Sequence, residues 1–247
     1  MKFLIVNDDS IDAPGIQVLA RAAAELGEVW VAAPAEQCSA LSQKLTLREL
    51  ISMENVLDFP APVRGAWRIG GTPVDCVKVA LEYLLEEKPD VILSGINNGL
   101  NAGQDIAYSG TLGAAFEAER HHIPAIAFSA ARDKYLGEME PHLVPLLREL
   151  TEQRAEPGSV WNVNFPAVKE TKPLRGILRD RSVCPVSMYQ ERYVPVRQED
   201  GRILLECRGI PTPDDRIPAG TDAAAVRAGY ISIGQVGCLV DVTEEER

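Results

Sequence analysis

Four apolar residues, Phe3 to Val6, run without interruption into Asn7, Asp8 and Asp9 near the start of the chain. A strand-length apolar run with no polar alternation is the pattern of a strand covered on both faces, as in a parallel sheet flanked by helices. The residues after Val6 therefore stand at a carboxyl edge, where open α/β sheets bind ligands. Helical spacing follows. Ile16, Leu19, Ala20, Ala23 and Leu26 share one face, with Pro14 in the permissive first turn and Gly27 just past the end. EVWVAAP at 28–34 reads as a second strand. A second helix is predicted from Thr72 as N-cap, Pro73 at the first helical position and Asp75 in the first turn, with Val74, Val77, Leu81 and Leu84 on its apolar face. PDVILSGINNG at 89–99, SGTLGAAFEAER at 109–120 and IPAIAFSA at 123–130 then read as strand, helix and strand. Repeated β-α-β units predict an α/β fold: a Rossmann-like, doubly wound, mostly parallel sheet with helices on both faces.

The second half is less regular. Residues 36–44 form a polar loop, and the stretch to 69 reads as irregular or short-strand structure. Periodicity predicts a helix over 138–153, and VWNVNFP at 160–166 is a buried strand. RYVPVRQEDGRILLECRG at 192–209 reads as two strands joined by a turn at 199–201, a hairpin extension, and YISIGQV at 230–236 as a returning strand. One domain is expected over 1–247: a core at 1–135 carrying the functional loops, then 136–247 supplying the rest of the core and the hairpin.

A formal charge of −11, with no concentrated basic face, opposes a nucleic-acid duplex or an anionic membrane as partner, since both would repel the chain. The apolar stretches are strand-sized and the first residues lack a signal pattern, so the expected location is the cytoplasm. Five widely spaced cysteines with no C-x-x-C read as reduced thiols rather than disulfides or a zinc site.

Consecutive strand residues point to opposite faces, so Asp8 and Asp9 converge only if the chain turns there, and SIDAPG supplies a turn. Two carboxylates held close repel unless a cation or a shared proton compensates, and a hard divalent metal is the simplest such cation. Other carboxyl-edge loops carry Ser39 and Ser42 after the second strand, and Asn97, Asn98 and Asn101 after VILSG. Hydroxyl and amide oxygens suit the remaining coordination positions of magnesium, manganese or calcium. Each of these Asp, Ser and Asn residues is also an ordinary turn former. Ser109, Gly110 and Thr111 open a helix whose unpaired N–H groups and dipole favour a phosphate, although capping alone would also place them there.

NDDSIDAPGI, APAEQCSALSQKLT, GTPVDCVKVAL, SGINNGLNAGQDIAYSGTLGAAFEA and IPAIAFS, in this order, resemble the SurE survival-protein family of metal-dependent nucleotidases. NVNFP at 162–166 and GTDAAAVRAGYISI at 220–233 are similar to its C-terminal blocks. The resemblance implies hydrolysis of nucleoside monophosphates to nucleoside and phosphate, as a 5′-nucleotidase with 3′ activity open. It also implies one divalent ion per subunit, magnesium or manganese, and a homodimer or homotetramer built on the C-terminal extension. Transferred onto this chain, the metal ligands fall on Asp8, Asp9, Ser39 and Asn97, and the phosphate-side loop on Tyr108, Ser109, Gly110 and Thr111, with Asn97 near the phosphate as well. The family's glycine after the paired aspartates is Ser10 here, a change of turn geometry, and a TRQ-like stretch reads LRD at 178–180.

On this reading Asp8 or Asp9 is the base for an attacking water, since no histidine accompanies the motifs; His121, His122 and His142 are structural or surface residues. A phospho-aspartate route of the D-x-D type would need an acid at Ser10. Two alternatives stand beside the enzyme. A receiver-like phospho-signalling module also pairs acids after its first strand, but wants an Asp ending the third and a Lys ending the fifth, where this chain has Asn97 and no lysine before Lys134. A non-catalytic nucleotide-binding protein is the other.

Overall fold

The computed structural model describes residues 1–238 apart from 170 and 172. In chain order its elements are β1 (Lys2–Val6), α1 (Pro14–Ala24), β2 (Glu28–Pro34), β3 (Met53–Asn55), β4 (Gly65–Ile69), α2 (Pro73–Val79), β5 (Val91–Asn98), α3 (Gly110–Arg120), β6 (Ala125–Ala130), α4 (Leu136–Glu152), β7 (Ser159–Phe165), β8 (Ile177–Leu178), β9 (Tyr189–Glu199), β10 (Arg202–Pro211), α5 (Asp222–Arg227) and β11 (Ile231–Gly237). Nine strands form one sheet in the order β3-β4-β2-β1-β5-β6-β7-β11-β8, and β9 pairs with β10 apart from it. From β4 to β7 all neighbours are parallel, and β3 and β11 join antiparallel. The strand order reverses between β1 and β5, which makes their carboxyl ends the switch point of the sheet.

Both faces are covered. Ile16 and Leu19 of α1 and Leu143, Leu146 and Leu147 of α4 pack on one face; Cys76 and Val77 of α2 and Leu112, Ala115 and Ala118 of α3 pack on the other. Phe3 to Val6 are therefore fully buried, as the uninterrupted apolar run requires. The cap of α2 is reciprocal: Thr72 accepts from the Asp75 N–H while the Asp75 carboxylate accepts from the Thr72 N–H. Asp75 also accepts from the Thr46 N–H and hydroxyl, tying the irregular 45–52 stretch to the helix. Burial alone would raise the Asp75 pKa, but these bonds outweigh it and hold the carboxyl below its ordinary value.

Three local expectations are revised. α2 ends at Val79 and widens into a π-helical turn at Ala80–Leu84, so the apolar face bearing Leu81 and Leu84 does not continue as an α-helix. Asn97 and Asn98 are strand residues rather than loop residues: β5 breaks register after Ser94 and then pairs Asn97 with Ser129 and Asn98 with Ala130. Gly95 makes this possible, with φ +130 and a position where any Cβ would run into the Phe128 carbonyl. The short helix α5 is an addition to the expected elements. It packs Ala223 and Val226 against Ala102, Cys184 and Met188.

The hairpin β9–β10 leaves the body, and every residue of β10 is exposed. All five cysteines are free thiols. No described helix is long and apolar enough to cross a membrane.

Candidate metal and phosphate site

The turn after β1 is built by its own side chains. Buried Asn7 donates through Nδ2 to the Ser10 carbonyl at 2.7 Å, and Ser10 takes φ +92, a left-handed conformation that glycine meets more easily. The serine thus keeps a turn that suits the glycine of the resembling family. Asp8 is buried, and Asp9 is partly exposed.

Three more segments close on these two acids. The Asp8 carbonyl accepts from the Cys38 N–H at 2.7 Å, which anchors the loop carrying Ser39 directly to Asp8. Asp9 Oδ2 accepts from the Asn98 N–H at 2.7 Å, and Oδ1 from Gln37 Nε2 at 3.3 Å, so the end of β5 and the loop after β2 both meet Asp9. At the start of α3, Thr111 donates its hydroxyl to Asp8 Oδ1 at 2.8 Å. Gly110 leaves room for this approach: a Cβ there would lie 3.0 Å from Asp8 Cβ and 3.1 Å from Asp8 Oδ2.

Crowding sets the electrostatics. Burial first, then the neighbouring Asp9, push the Asp8 carboxyl from 3.8 up to about 6, against the opposing pull of the Thr111 hydrogen bonds. Burial also raises Asp9, opposed by the Asn98 N–H and by Gln37. No Lys, Arg or His among the described residues compensates either carboxylate. Two uncompensated anions at one sheet edge form a demand for a cation.

The sequence-derived candidates fall into distinct positions. Ser39 lies in the exposed loop held to Asp8. Asn97 uses its Nδ2 on the Gly99 carbonyl at 2.8 Å, which leaves its amide oxygen as the donor atom for a cation. Ser109 is the N-cap of α3 and accepts from the Leu112 N–H at 3.1 Å, retaining its own hydroxyl hydrogen. The Thr111 hydroxyl hydrogen, by contrast, is already committed to Asp8, so only Ser109 brings a hydroxyl donor to the start of α3. Ser42, considered above as an oxygen donor, spends its hydroxyl on the Ala107 carbonyl at 2.9 Å. Asn101 is not at the surface of the site but buried behind it, hydrogen-bonded to Thr111, Ser129 and Asn164. Tyr108 is exposed, His121 lies beside Glu117, and no histidine is among the groups that act on Asp8 or Asp9 among the described residues.

Other participants are given no role in the sequence reading. Asp133, after β6, donates its N–H to the Asn98 side chain at 3.2 Å, and burial followed by the charge on Asp9 raises its carboxyl. Asn162 and Asn164 sit on β7 two residues apart, both buried. Two asparagines at i and i+2 on a strand share one face. In a segment read as buried, that pair was the available signal that the face meets polar partners.

A family model described as survival protein SurE matches residues 3–188. The chain belongs to the SurE family. The 5′-nucleotidase SurE of Gemmatimonas aurantiaca is 40% identical over 242 residues, covering 94% of this chain and 91% of the relative. That of Trichodesmium erythraeum is 38% identical over 243 residues, covering 94% and 90%. A relative from Edwardsiella ictaluri, named 5′/3′-nucleotidase SurE, is 37% identical over 237 residues, covering 94% and 88%. The crystal structure of a SurE protein from Aquifex aeolicus superposes with a TM-score of 0.80 at 32% identity, covering all of this chain and 96% of that one.

The residues present suit a hard divalent cation. Asp8, Asp9, Asn97 and Ser39 offer only oxygen donors, and the two anions lack a protein cation. No cluster of three or more His, Cys, Asp or Glu occurs among the described residues, so neutral oxygens would have to complete the shell.

Proposed function

We propose that this SurE-family chain hydrolyses nucleoside 5′-monophosphates, and 3′-monophosphates as well, to nucleoside and phosphate. The observation that carries the reading is the pair Asp8 and Asp9, uncompensated at the switch point and beside the N-terminus of α3. Asp8, Asp9, Asn97 and Ser39 would hold one magnesium or manganese ion. When bound, that ion supplies charge for the phosphoryl oxygens and acidity for a water.

The chain's own groups do the rest. The Ser109 hydroxyl and the Gly110 N–H at the start of α3 receive the phosphate oxygens, where the helix dipole favours negative charge. Asp9, the more exposed acid, takes the proton of the attacking water, while Asp8 is held by Thr111. Beyond Asn98 a cleft of about 830 Å³ opens between Tyr135, Lys134, Arg132 and Tyr189, and it is large enough for a nucleoside. Exposed Tyr193, Val196, Ile203 and Leu205 on β9–β10 support a homodimer or homotetramer through the hairpin. The cytoplasm is the proposed site of action.

The test is phosphate release from a panel of 5′ and 3′ nucleoside monophosphates with magnesium, manganese or chelator, for the wild type and for folded Asp8→Asn and Asp9→Asn. Metal-dependent release lost in both variants supports the enzyme. Nucleotide binding without release under any metal leaves a non-catalytic binding protein.

A further inference from the structure

The described hydrogen bonds continue behind Asp8 into the second half of the chain. The Asn101 carbonyl accepts from Asn162 Nδ2 at 2.9 Å and Asn164 Nδ2 at 3.0 Å, while its N–H donates to Asn164 Oδ1 at 2.9 Å. Asn164 Nδ2 also donates to Asn162 Oδ1 at 3.2 Å, so the two β7 amides brace one another. Held in this way, Asn101 Nδ2 donates to Ser129 Oγ at 2.9 Å and to Thr111 Oγ1 at 3.3 Å.

The direction of these bonds matters. A hydroxyl has one hydrogen. With Asn101 donating to the Thr111 oxygen, the Thr111 hydrogen is left for Asp8 Oδ1, 2.8 Å away. Asn101, Thr111, Ser129, Asn162 and Asn164 are all buried, so each bond lies in a low dielectric without water to exchange for it. Asp8 Oδ1 is thereby engaged, and the second oxygen, Oδ2, beside Gly110, remains for a ligand.

We propose that Asn101, braced by Asn162 and Asn164, is a positioning residue that acts through Thr111 to fix the carboxylate of Asp8 for a divalent cation. β7 thus helps to set the affinity of a site whose ligands all lie in the first hundred residues. The proposal rests on the cation reading of Asp8, but not on which phosphomonoester is hydrolysed. Groups that orient metal ligands typically govern affinity by ~10–100-fold, although they touch no metal.

The experiment is titration of manganese alone into the metal-free full-length protein by calorimetry, with thermal melting of each variant in chelator. Thr111→Val keeps the shape and removes the donor, and it should weaken manganese binding by about 10-fold. Thr111→Ser should recover binding to within about threefold of the wild type, as the restored hydroxyl requires. Asn101→Ala should weaken binding similarly, and adding it to Thr111→Val should cost much less than the product of the two single effects, because one acts through the other. If Asn101→Ala does not fold, Asn101→Leu, of similar shape and without a donor, takes its place, and wild-type manganese affinity in the Asn101 variant that folds would overturn the role of Asn101. Wild-type affinity in Thr111→Val, or failure of Thr111→Ser to restore binding while melting normally, would overturn the relay. Phosphate release is scored separately. A wild type that binds manganese in a relay-dependent way but releases no phosphate loses the nucleotidase reading and keeps this one, whereas a wild type that binds no manganese overturns both.

Discussion

Replacing Asp8 by Asn should stabilise the metal-free protein at neutral pH while removing its response to metal. Asp8 is buried and its pKa is pushed up to about 6 from 3.8. That displacement corresponds to about 3 kcal/mol of unfavourable free energy for the ionised carboxylate in the folded state. The sign follows from proton binding. Between pH 4 and 6 the folded state holds more proton than the unfolded one, so stability falls as pH rises through this window and is level above it. The amide carries no charge and escapes the penalty, and its oxygen still accepts from Thr111, but it loses one charge-assisted acceptor, about 1 kcal/mol. The net gain at pH 7.5 is about 2 kcal/mol, or a Tm roughly 4–8 °C higher for a chain of this size. Scanning calorimetry in chelator at pH 7.5 and pH 4.5 tests this: the variant should melt higher at pH 7.5 and lose that advantage at pH 4.5. Saturating manganese should raise the wild type by about 3 kcal/mol at 100 times Kd, reversing the order. A variant that melts at or below the wild type in chelator at pH 7.5 would refute the claim that Asp8 is a strained, uncompensated anion.

Other consequences are more local. Gly110→Ala places a Cβ about 3.0 Å from Asp8 Cβ and should lower manganese affinity about 10-fold by calorimetry, with a far-UV spectrum like the wild type. Manganese affinity of the wild type should fall as pH drops below about 6, by about tenfold per pH unit for one displaced proton, because metal and proton compete for Asp8. An affinity flat from pH 7 to 5 would count against Asp8 as a ligand. Asp75→Ala removes the carboxylate half of the α2 cap and the clamp on Thr46, leaving Thr72 to accept from the backbone N–H of position 75, and should cost about 2–3 kcal/mol in urea unfolding. A cost within about 0.5 kcal/mol would mean that the cap and clamp contribute little to stability.

Much of the architecture was legible because it is written in local patterns. Phe3–Val6, EVWVAAP and IPAIAFSA are strands because they must be apolar on both faces, and Pro14, Thr72 and Ser109 start helices because of what each does to its own backbone. β5 was harder. Its return to pairing at Asn97 depends on the fit of Gly95 against Phe128 on a neighbouring strand, which no local pattern reports. Asn101 and Thr111 were visible as polar residues near the site, but their tasks were not. Both were candidates to face a ligand, and both are turned inward.

The sequence by itself determined that two acids end the first buried strand and that a helix begins shortly after the third carboxyl-edge loop, since strand burial, turns and caps are decided within a few residues. Only the tertiary structure decided which atoms serve which. The bonds that shape Asp8 and Asp9 join residues 103 and 89 positions apart, and the brace on Asn101 spans 63. Contacts of that range arise from sheet order and helix packing, where a hydroxyl or an amide takes its role from whichever partner folding places beside it.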